Sequence, residues 1–477
     1  MTSPLATPCA TERSNLETTN NLALRIHYGG TMPSTEQHNL GETKALRRAI
    51  TGSLVGTSLE WYDFFLYGTA AALVFGEVFF PSYERLTGTL LSFITFAVGF
   101  AARPVGAAIA GHFGDRIGRK KVLLATITVM GTSTIAIGVL PSYATAGIIA
   151  PILLVVVRLI QGLALGGEWA GGALMIAERA PASRRGFLTS FVQVGASIGN
   201  LLSTGILLLM SALLSRGEFV AWGWRVPFLL SAVVVVVGIY IRLKVTETPT
   251  FNALQQKGKV SRSPVLELFR RQPLDILRVI GIRAGADIMF YLLITFLLTY
   301  LTQTLGLPSS IGLTAAMLGA GMQLITYPLS AALSDRFGRR PITIIGAVGA
   351  IIWMLFFFFP LVDTKSVALI ITAVLVGLLF HSAMYGVQAV WICELFDAKH
   401  RYSGASLGYQ LAGIVGGSLA PTIAIALLQI FGSNIAITAY ASIALVIVAI
   451  TAAFTRETRG IKLTEPDSDH QTAAVHT

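Results

Sequence analysis

Four stretches of apolar sequence carry side chains that could hold a proton or a small polar molecule. The first holds Glu60, Asp63 and Tyr67, spaced so that all three share one helical face. The second holds Arg158, Gln161 and Glu168, which fall within an arc of roughly 80° on a helix. Arg283 and Asp287 lie one turn apart in the third, and could simply pair with each other. His381, Tyr385 and Gln388 form an i, i+4, i+7 stripe in the fourth. Ionisable groups inside apolar helices are costly, so each marks a site by default. Paired carboxylates suit proton exchange and guanidinium groups suit a carboxylate ligand.

Each stripe also has a structural reading. Arg158 either binds a substrate carboxylate or pairs with Glu168 or Asp115. His381 is a substrate contact, a neutral hydrogen-bonded imidazole or, less readily, a proton carrier. Arg103, near the inner end of its helix, is expected to pair with the loop carboxylate Asp115. Trp61, Trp169 and Trp391 suit a pocket wall or simple packing, and Phe356–Phe359 before Pro360 suit a lipid-facing helix end.

The elements that must position these groups are membrane-spanning helices. The chain has 477 residues, 54% hydrophobic and only 12% charged, with a mean hydropathy of +0.70; soluble domains carry about 25% charged residues. Twelve apolar segments, spans one to twelve in chain order, lie at about 50–76, 89–111, 122–141, 146–168, 187–214, 222–241, 279–302, 311–333, 342–361, 366–391, 404–431 and 434–454, most long enough to cross a bilayer. The two cysteines, Cys9 and Cys393, exclude a disulfide framework and a cysteine-rich metal site. No metalloprotease motif, clustered ligand set or nucleophile–base constellation points to an enzyme, and the tails are too short for a sensor's output domain. The polar N-terminal stretch has no apolar core of a signal peptide.

The net charge of +11 is a topology signal and not a nucleic-acid footprint. If both tails share one side, 28 of the 35 lysines and arginines lie there, which makes that side cytoplasmic. The expected organisation is a polar cytoplasmic tail over 1–48, a six-helix bundle over 49–243, a cytoplasmic linker over 244–277, a second six-helix bundle over 278–455 and a cytoplasmic tail over 456–477. The halves repeat each other. Gly111-His-Phe-Gly-Asp-Arg-Ile-Gly-Arg-Lys120 follows the second span and Ser334-Asp-Arg-Phe-Gly-Arg-Arg340 the eighth, while Glu178…Arg185 is echoed by Glu394…Arg401. Two six-span repeats of the same orientation imply a pseudo-two-fold axis along the membrane normal and a ligand between the halves. The expected fold is an all-α polytopic membrane protein, twelve transmembrane helices in two pseudo-symmetric six-helix bundles. Gln193, Gly195 and Gly199, and Gly404, Gly408, Gly413, Gly416 and Gly417, read as close-packing surfaces along which the halves would slide.

The repeated loop motif resembles the signature of the major facilitator superfamily, with the resemblance covering about residues 45–457. Glu60-Trp-Tyr-Asp-Phe-Phe-Leu-Tyr67, Arg158-Leu-Ile-Gln-Gly-Leu-Ala-Leu-Gly-Gly-Glu-Trp169 and Trp222-Gly-Trp-Arg-Val-Pro-Phe228 are similar to the metabolite:proton symporter family. Ala150-Pro-Ile-Leu-Leu154 and Arg401-Tyr-Ser-Gly-Ala405 resemble its shikimate and α-ketoglutarate permease group. The resemblance implies alternating access, with spans one, four, seven and ten lining a central cavity. It implies proton-coupled uptake of a small organic acid or zwitterion across the plasma membrane (the inner membrane in a bacterium), with protons as coupling ion, no cofactor and a functional monomer among membrane lipids. Proline/betaine and citrate are alternative substrates; an exporter or an uncoupled facilitator is the alternative function. The exporters' proline–glycine pattern is absent from Gln193-Val-Gly-Ala-Ser-Ile-Gly199.

The site residues expected on this basis are Asp63, Glu60 and Glu168 for proton coupling, with Asp63 first. Tyr67, Arg158, Gln161, Arg283, His381, Tyr385 and Gln388 are expected at the substrate. Gly111, Gly114, Asp115, Arg116, Gly118 and Arg119, with Asp335, Arg336, Gly338 and Arg339, form a cytoplasmic latch of the outward-facing state or a simple topology anchor. The repeat also relates Asp63 to Arg283, so the two could meet across the axis. A lasting pair would make Asp63 a strut, and a breakable one would leave it a carrier.

Overall fold

A computed structural model describes residues 34–117, 119–166, 168–244, 264–397, 400–461 and 463, without the side chains of 34–42, 108, 110–123, 241–244 and 264–267. Residues 1–47 form one unit, and residues 48–477, which carry every site residue named above, form another. Among the described residues the secondary structure is helical. Nine helices among the described residues are long and apolar enough to cross a membrane, and a tenth arises if Arg216–Gly223 and Arg225–Tyr240, bent by 43°, form one span. The shorter apolar helix Leu124–Val139 and the helix ending at Ala70, diluted by Glu60 and Asp63, account for the remaining apolar segments. With no water in a bilayer to satisfy backbone groups, helices are the solution this composition allows.

The repeat is visible in the backbone. A wide π-helical turn occupies Ala71–Phe75 in span one and Leu292–Phe296 in span seven, at nearly the offset of the loop motifs. Such turns skew the side-chain register and collect at functional positions.

Small residues set the packing within each half. A Cβ at Gly162 in span four would run into the Gly99 carbonyl of span two, and one at Gly106 into the Leu163 carbonyl. In span five, a Cβ at Gly195 would lie 2.7 Å from the Leu54 carbonyl oxygen and one at Gly199 2.6 Å from the Tyr62 nitrogen. Gly408 and Gly416 approach Val279 and Ala284 of span seven in the same way. These glycines therefore weld spans one to five and seven to eleven inside a half, which corrects the expectation of a sliding surface between halves. Gly413 and Gly417 do face the other half, against Phe100 of span two. Phe356 and Phe357 are exposed as expected for a lipid-facing end, but Phe358 and Phe359 are buried, because four consecutive residues of a helix cannot all face one side.

Candidate functional site

Between the halves lies a narrow cavity. Trp61 and Phe65 of span one and Ala196, Ser197 and Asn200 of span five form one wall. Asp287, Phe290 and Tyr291 of span seven, Gln323 and Tyr327 of span eight, and His381 and Tyr385 of span ten form the other. Among these described lining residues Asp287 is the one carboxylic side chain, and Arg283 holds it at 3.0 Å. Trp61 Nε1, the Ser197 hydroxyl, Asn200 Nδ2, the Tyr291 hydroxyl and His381 Nε2 are buried with no hydrogen-bond partner among the described residues.

The cavity is closed on both sides. On the side of the repeated loop motif, the Trp169 and Tyr409 rings stack with centroids 3.6 Å apart. Trp169 Nε1 donates to Gln193 Oε1 at 3.2 Å, and Gln193 Nε2 donates to the Tyr385 carbonyl at 3.1 Å, so spans from both halves meet there. Farther out, Arg185 of the first half pairs with Glu394 of the second at 3.1 Å, and Arg401 of the second approaches Glu178 of the first at 4.0 Å. Asp335 accepts from the backbone N–H groups of Gly186 and Phe187 at 2.8 and 2.9 Å and pairs with Arg339 at 2.6 Å. Gly338 between them has φ 106°, a conformation that favours glycine. Arg336 is exposed. At the opposite end, Gln303 Nε2 of span seven donates to Thr89 Oγ1 of span two at 2.8 Å.

Of the expected substrate residues, His381 and Tyr385 line the cavity. Tyr67, Arg158, Gln161, Arg283 and Gln388 are buried but lie outside its lining. Arg158 donates to Gln161 and sits 3.9 Å from the centroid of Tyr67, within the first half. Tyr67 shares a hydrogen bond with Thr95 at 2.5 Å, and Gln161 Nε2 donates to Thr134 at 2.7 Å. Asp63 is buried in the same cluster, with Thr134 as hydrogen-bond partner and Arg158 and Glu60 in its field. Arg283 is held by Asp287 and by the Tyr409 carbonyl, so its pairing lies within its own half. Gln388 donates to the Ile282 carbonyl at 3.4 Å, and Trp391 is buried outside the lining. Glu168 is half-buried at the start of its helix segment.

Arg103 departs from expectation. It lies 3.6 Å from Glu60 and donates to Gln410 Oε1 of span eleven at 3.4 Å. Asp115 is twelve residues farther along, about 18 Å on a helix, beyond a side chain's reach. The side chains of the first loop copy, Gly111, Gly114, Asp115, Arg116 and Arg119, and all of Gly118, lie outside the described residues.

The lining from spans five and eight was missed by sequence reasoning. Ser197, Asn200 and Thr204, and Gln323, Thr326, Tyr327 and Ser330, do recur at helical spacing, and that polar periodicity was the available signal. Among the described residues no group of three or more histidine, cysteine or acidic side chains is placed to hold a metal ion.

Comparison with known proteins agrees with this architecture. The family model for the Major Facilitator Superfamily matches residues 53–415 and again 286–476. The shikimate transporter of Escherichia coli (strain K12) is 43% identical over 395 residues, 81% of this chain and 89% of that protein. The inner membrane metabolite transport protein YhjE of the same organism is 40% identical, over 79% of this chain and 87% of the other. The proline/betaine transporter of that organism is 34% identical, over 80% and 77%. Among solved structures, the proton:xylose symporter XylE bound to 6-bromo-6-deoxy-D-glucose superposes with a TM-score of 0.72 at 18% identity, covering 88% of this chain and 98% of that one, which establishes the fold. A multi-pass helical chain built as two repeated halves around a closed cavity, and matched over most of its length by these transporters, belongs to the Major Facilitator Superfamily and is a membrane transporter.

Proposed function

We propose that the chain is a proton-coupled uptake symporter for a small organic acid or zwitterionic metabolite, working by alternating access. The observation that carries this reading is the cavity enclosed between the two halves, whose buried donors lack partners among the described residues. Unpaired buried donors cost free energy, and an acceptor-rich ligand repays it. The identities with shikimate and metabolite transporters support the substrate class.

Protons are the proposed coupling ion, with Asp63 the first carrier and Glu60 and Glu168 behind it. Asp63 and Arg158 belong to one buried cluster. When Asp63 takes a proton, the positive charge of Arg158 loses its counter-charge, and a carboxylate entering the cavity restores neutrality through the electrostatic field without touching Arg158. Proton and anion are then favoured together. The remaining site residues keep their proposed roles: Tyr67, Arg158, Gln161, Arg283 and Gln388 shape and charge the surroundings of the cavity, and the paired loop motifs form the cytoplasmic latch. The site of action is the plasma membrane, with both termini cytoplasmic and the monomer as functional unit.

The test is transport of labelled shikimate in proteoliposomes containing the full chain. An acid-outside pH gradient should drive accumulation, and counterflow should proceed without one. Counterflow without pH-driven accumulation would make the chain a facilitator. Proton entry that expels preloaded substrate would make it an exporter.

A further inference from the structure

The unpartnered donors around the cavity fall on opposite sides of it. Trp61 Nε1, Asn200 Nδ2 and the Ser197 hydroxyl beside it belong to the first half, and the Tyr291 hydroxyl and His381 Nε2 to the second. The orientation of two of them is set by their other atoms. Asn200 Oδ1 accepts from Thr204 Oγ1 at 2.8 Å, which leaves the amide nitrogen as the free end. His381 Nδ1 lies 3.2 Å from Gln323 Nε2, which can only donate. In the neutral ring the proton is then on Nε2, a second free donor.

The arginines are engaged elsewhere. Arg283 is held by Asp287 and the Tyr409 carbonyl, and Arg158 lies outside the lining with its side chain over Tyr67. Resting on the reading of this cavity as the substrate site, we propose that Trp61 and Asn200 seat the substrate's carboxylate with neutral N–H donors and not with a guanidinium, while Tyr291 and His381 read hydroxyl groups at its other end. The ligand class is a compact hydroxylated carboxylic acid. A methylated ammonium zwitterion supplies two acceptor oxygens and nothing for the second pair of donors, and the lining carboxylate Asp287 is already matched. A ligand that bonds to both walls also ties the halves together, so occlusion follows from complete recognition. A site built to bond a hydroxyl rejects analogues that lack it more strongly than a merely apolar pocket does.

The proposal is tested by binding to the purified full-length protein, with shikimate, benzoate and glycine betaine as probes, measured by calorimetry at one pH. The wild type should bind shikimate in preference to both others. Trp61→Phe, which deletes the N–H and keeps an aromatic ring, should weaken shikimate and benzoate alike by about tenfold. Asn200→Asp, which puts an acceptor where the seat needs a donor, should weaken both further. Tyr291→Phe and His381→Phe should weaken shikimate by about tenfold and benzoate much less. Wild-type affinity in Trp61→Phe and Asn200→Asp overturns the neutral seat. Equal losses for shikimate and benzoate in Tyr291→Phe overturn the hydroxyl reading, and a wild type that prefers betaine or binds none of the probes overturns the ligand class. A protein that binds shikimate with this pattern yet shows no pH-driven accumulation would refute the symport reading alone.

Discussion

Glu394, close to the end of span ten, takes Arg185 of the other half as its partner at 3.1 Å, although Arg401 lies seven residues away in its own segment. Arg401 in turn reaches Glu178 of the first half at 4.0 Å. The Glu…Arg spacing that repeats in the sequence is therefore exchanged across the two-fold relation, each half supplying a partner to the other. The two contacts differ in weight. Glu394 and Arg185 have side-chain exposures of 0% and 6%, and Arg339 adds a second guanidinium at 3.2 Å, whereas Glu178 is 34% exposed.

Breaking the buried member should matter more. Loss of one partner from a buried pair costs about 3–5 kcal/mol, against about 0–1 kcal/mol for an exposed one. Because the contact joins the halves, Glu394→Gln should favour states open at that end, and Glu178→Gln should do so weakly. Cys393 is buried beside Glu394 and serves as reporter; with Cys9→Ser it is the single thiol of the chain. Its alkylation should be much faster in Glu394→Gln and little changed in Glu178→Gln. Equal rates in both would mean that the exchanged pairs do not hold this end closed.

Packing inside a half gives a second expectation. A side chain at Gly162 must displace the backbone of span two at Gly99, whereas one at Gly321 meets nothing within 4 Å. Gly162→Val should lower the melting temperature in detergent or abolish folded protein, since overpacking costs about 1–3 kcal/mol even where some relaxation is allowed. Gly321→Ala should be nearly neutral. A stable Gly162→Val would show that spans two and four separate easily.

Arg103 supplies a third. Its pairing with Glu60 at 3.6 Å and its bond to Gln410 connect spans one, two and eleven, and Gln410 Nε2 continues to the Gly166 carbonyl at 3.3 Å. Arg103→Gln leaves a buried carboxylate without its guanidinium and should destabilise by about 3–5 kcal/mol. Adding Glu60→Gln should recover part of that loss, a coupling measurable by a double-mutant cycle of thermal melts. Additive losses would mean that the two charges do not interact.

Much of this was legible in the sequence. Charge and hydropathy give the helices and the repeat because a bilayer punishes exceptions to both. His381 and Tyr385 could be named as site residues since polar groups in apolar helices stand out. Asn200 and Gln323 are equally polar, but spans five and eight carry no ionisable group in mid-span to draw attention. Arg103 was misassigned because sequence proximity to Asp115 is a poor guide where partners come from neighbouring helices. The exchange between Glu394 and Arg185 could not be read either: the spacing shows that two motifs are equivalent, and only the three-dimensional arrangement shows that they trade partners.

The last expectation concerns Asp63. It is 3% exposed, and its surroundings are Thr134 and Arg158 of its own half together with Glu60. Arg283 is bound to Asp287, so the double exchange Asp63→Arg with Arg283→Asp is expected to give no rescue, and a rescue would support the strut reading. As a carrier, Asp63 must accept a proton from one side and release it to the other, and Asn mimics its neutral form while carrying none. Asp63→Asn should therefore lose accumulation driven by a pH gradient. It should retain counterflow, which needs substrate to cross in both directions but no net proton movement. Loss of both activities, with normal melting and normal substrate binding, would assign Asp63 to the conformational change itself. Accumulation that survives Asp63→Asn would exclude it as the carrier and move that role to Glu60, which faces Arg103 nearest the contact between the halves, or to Glu168.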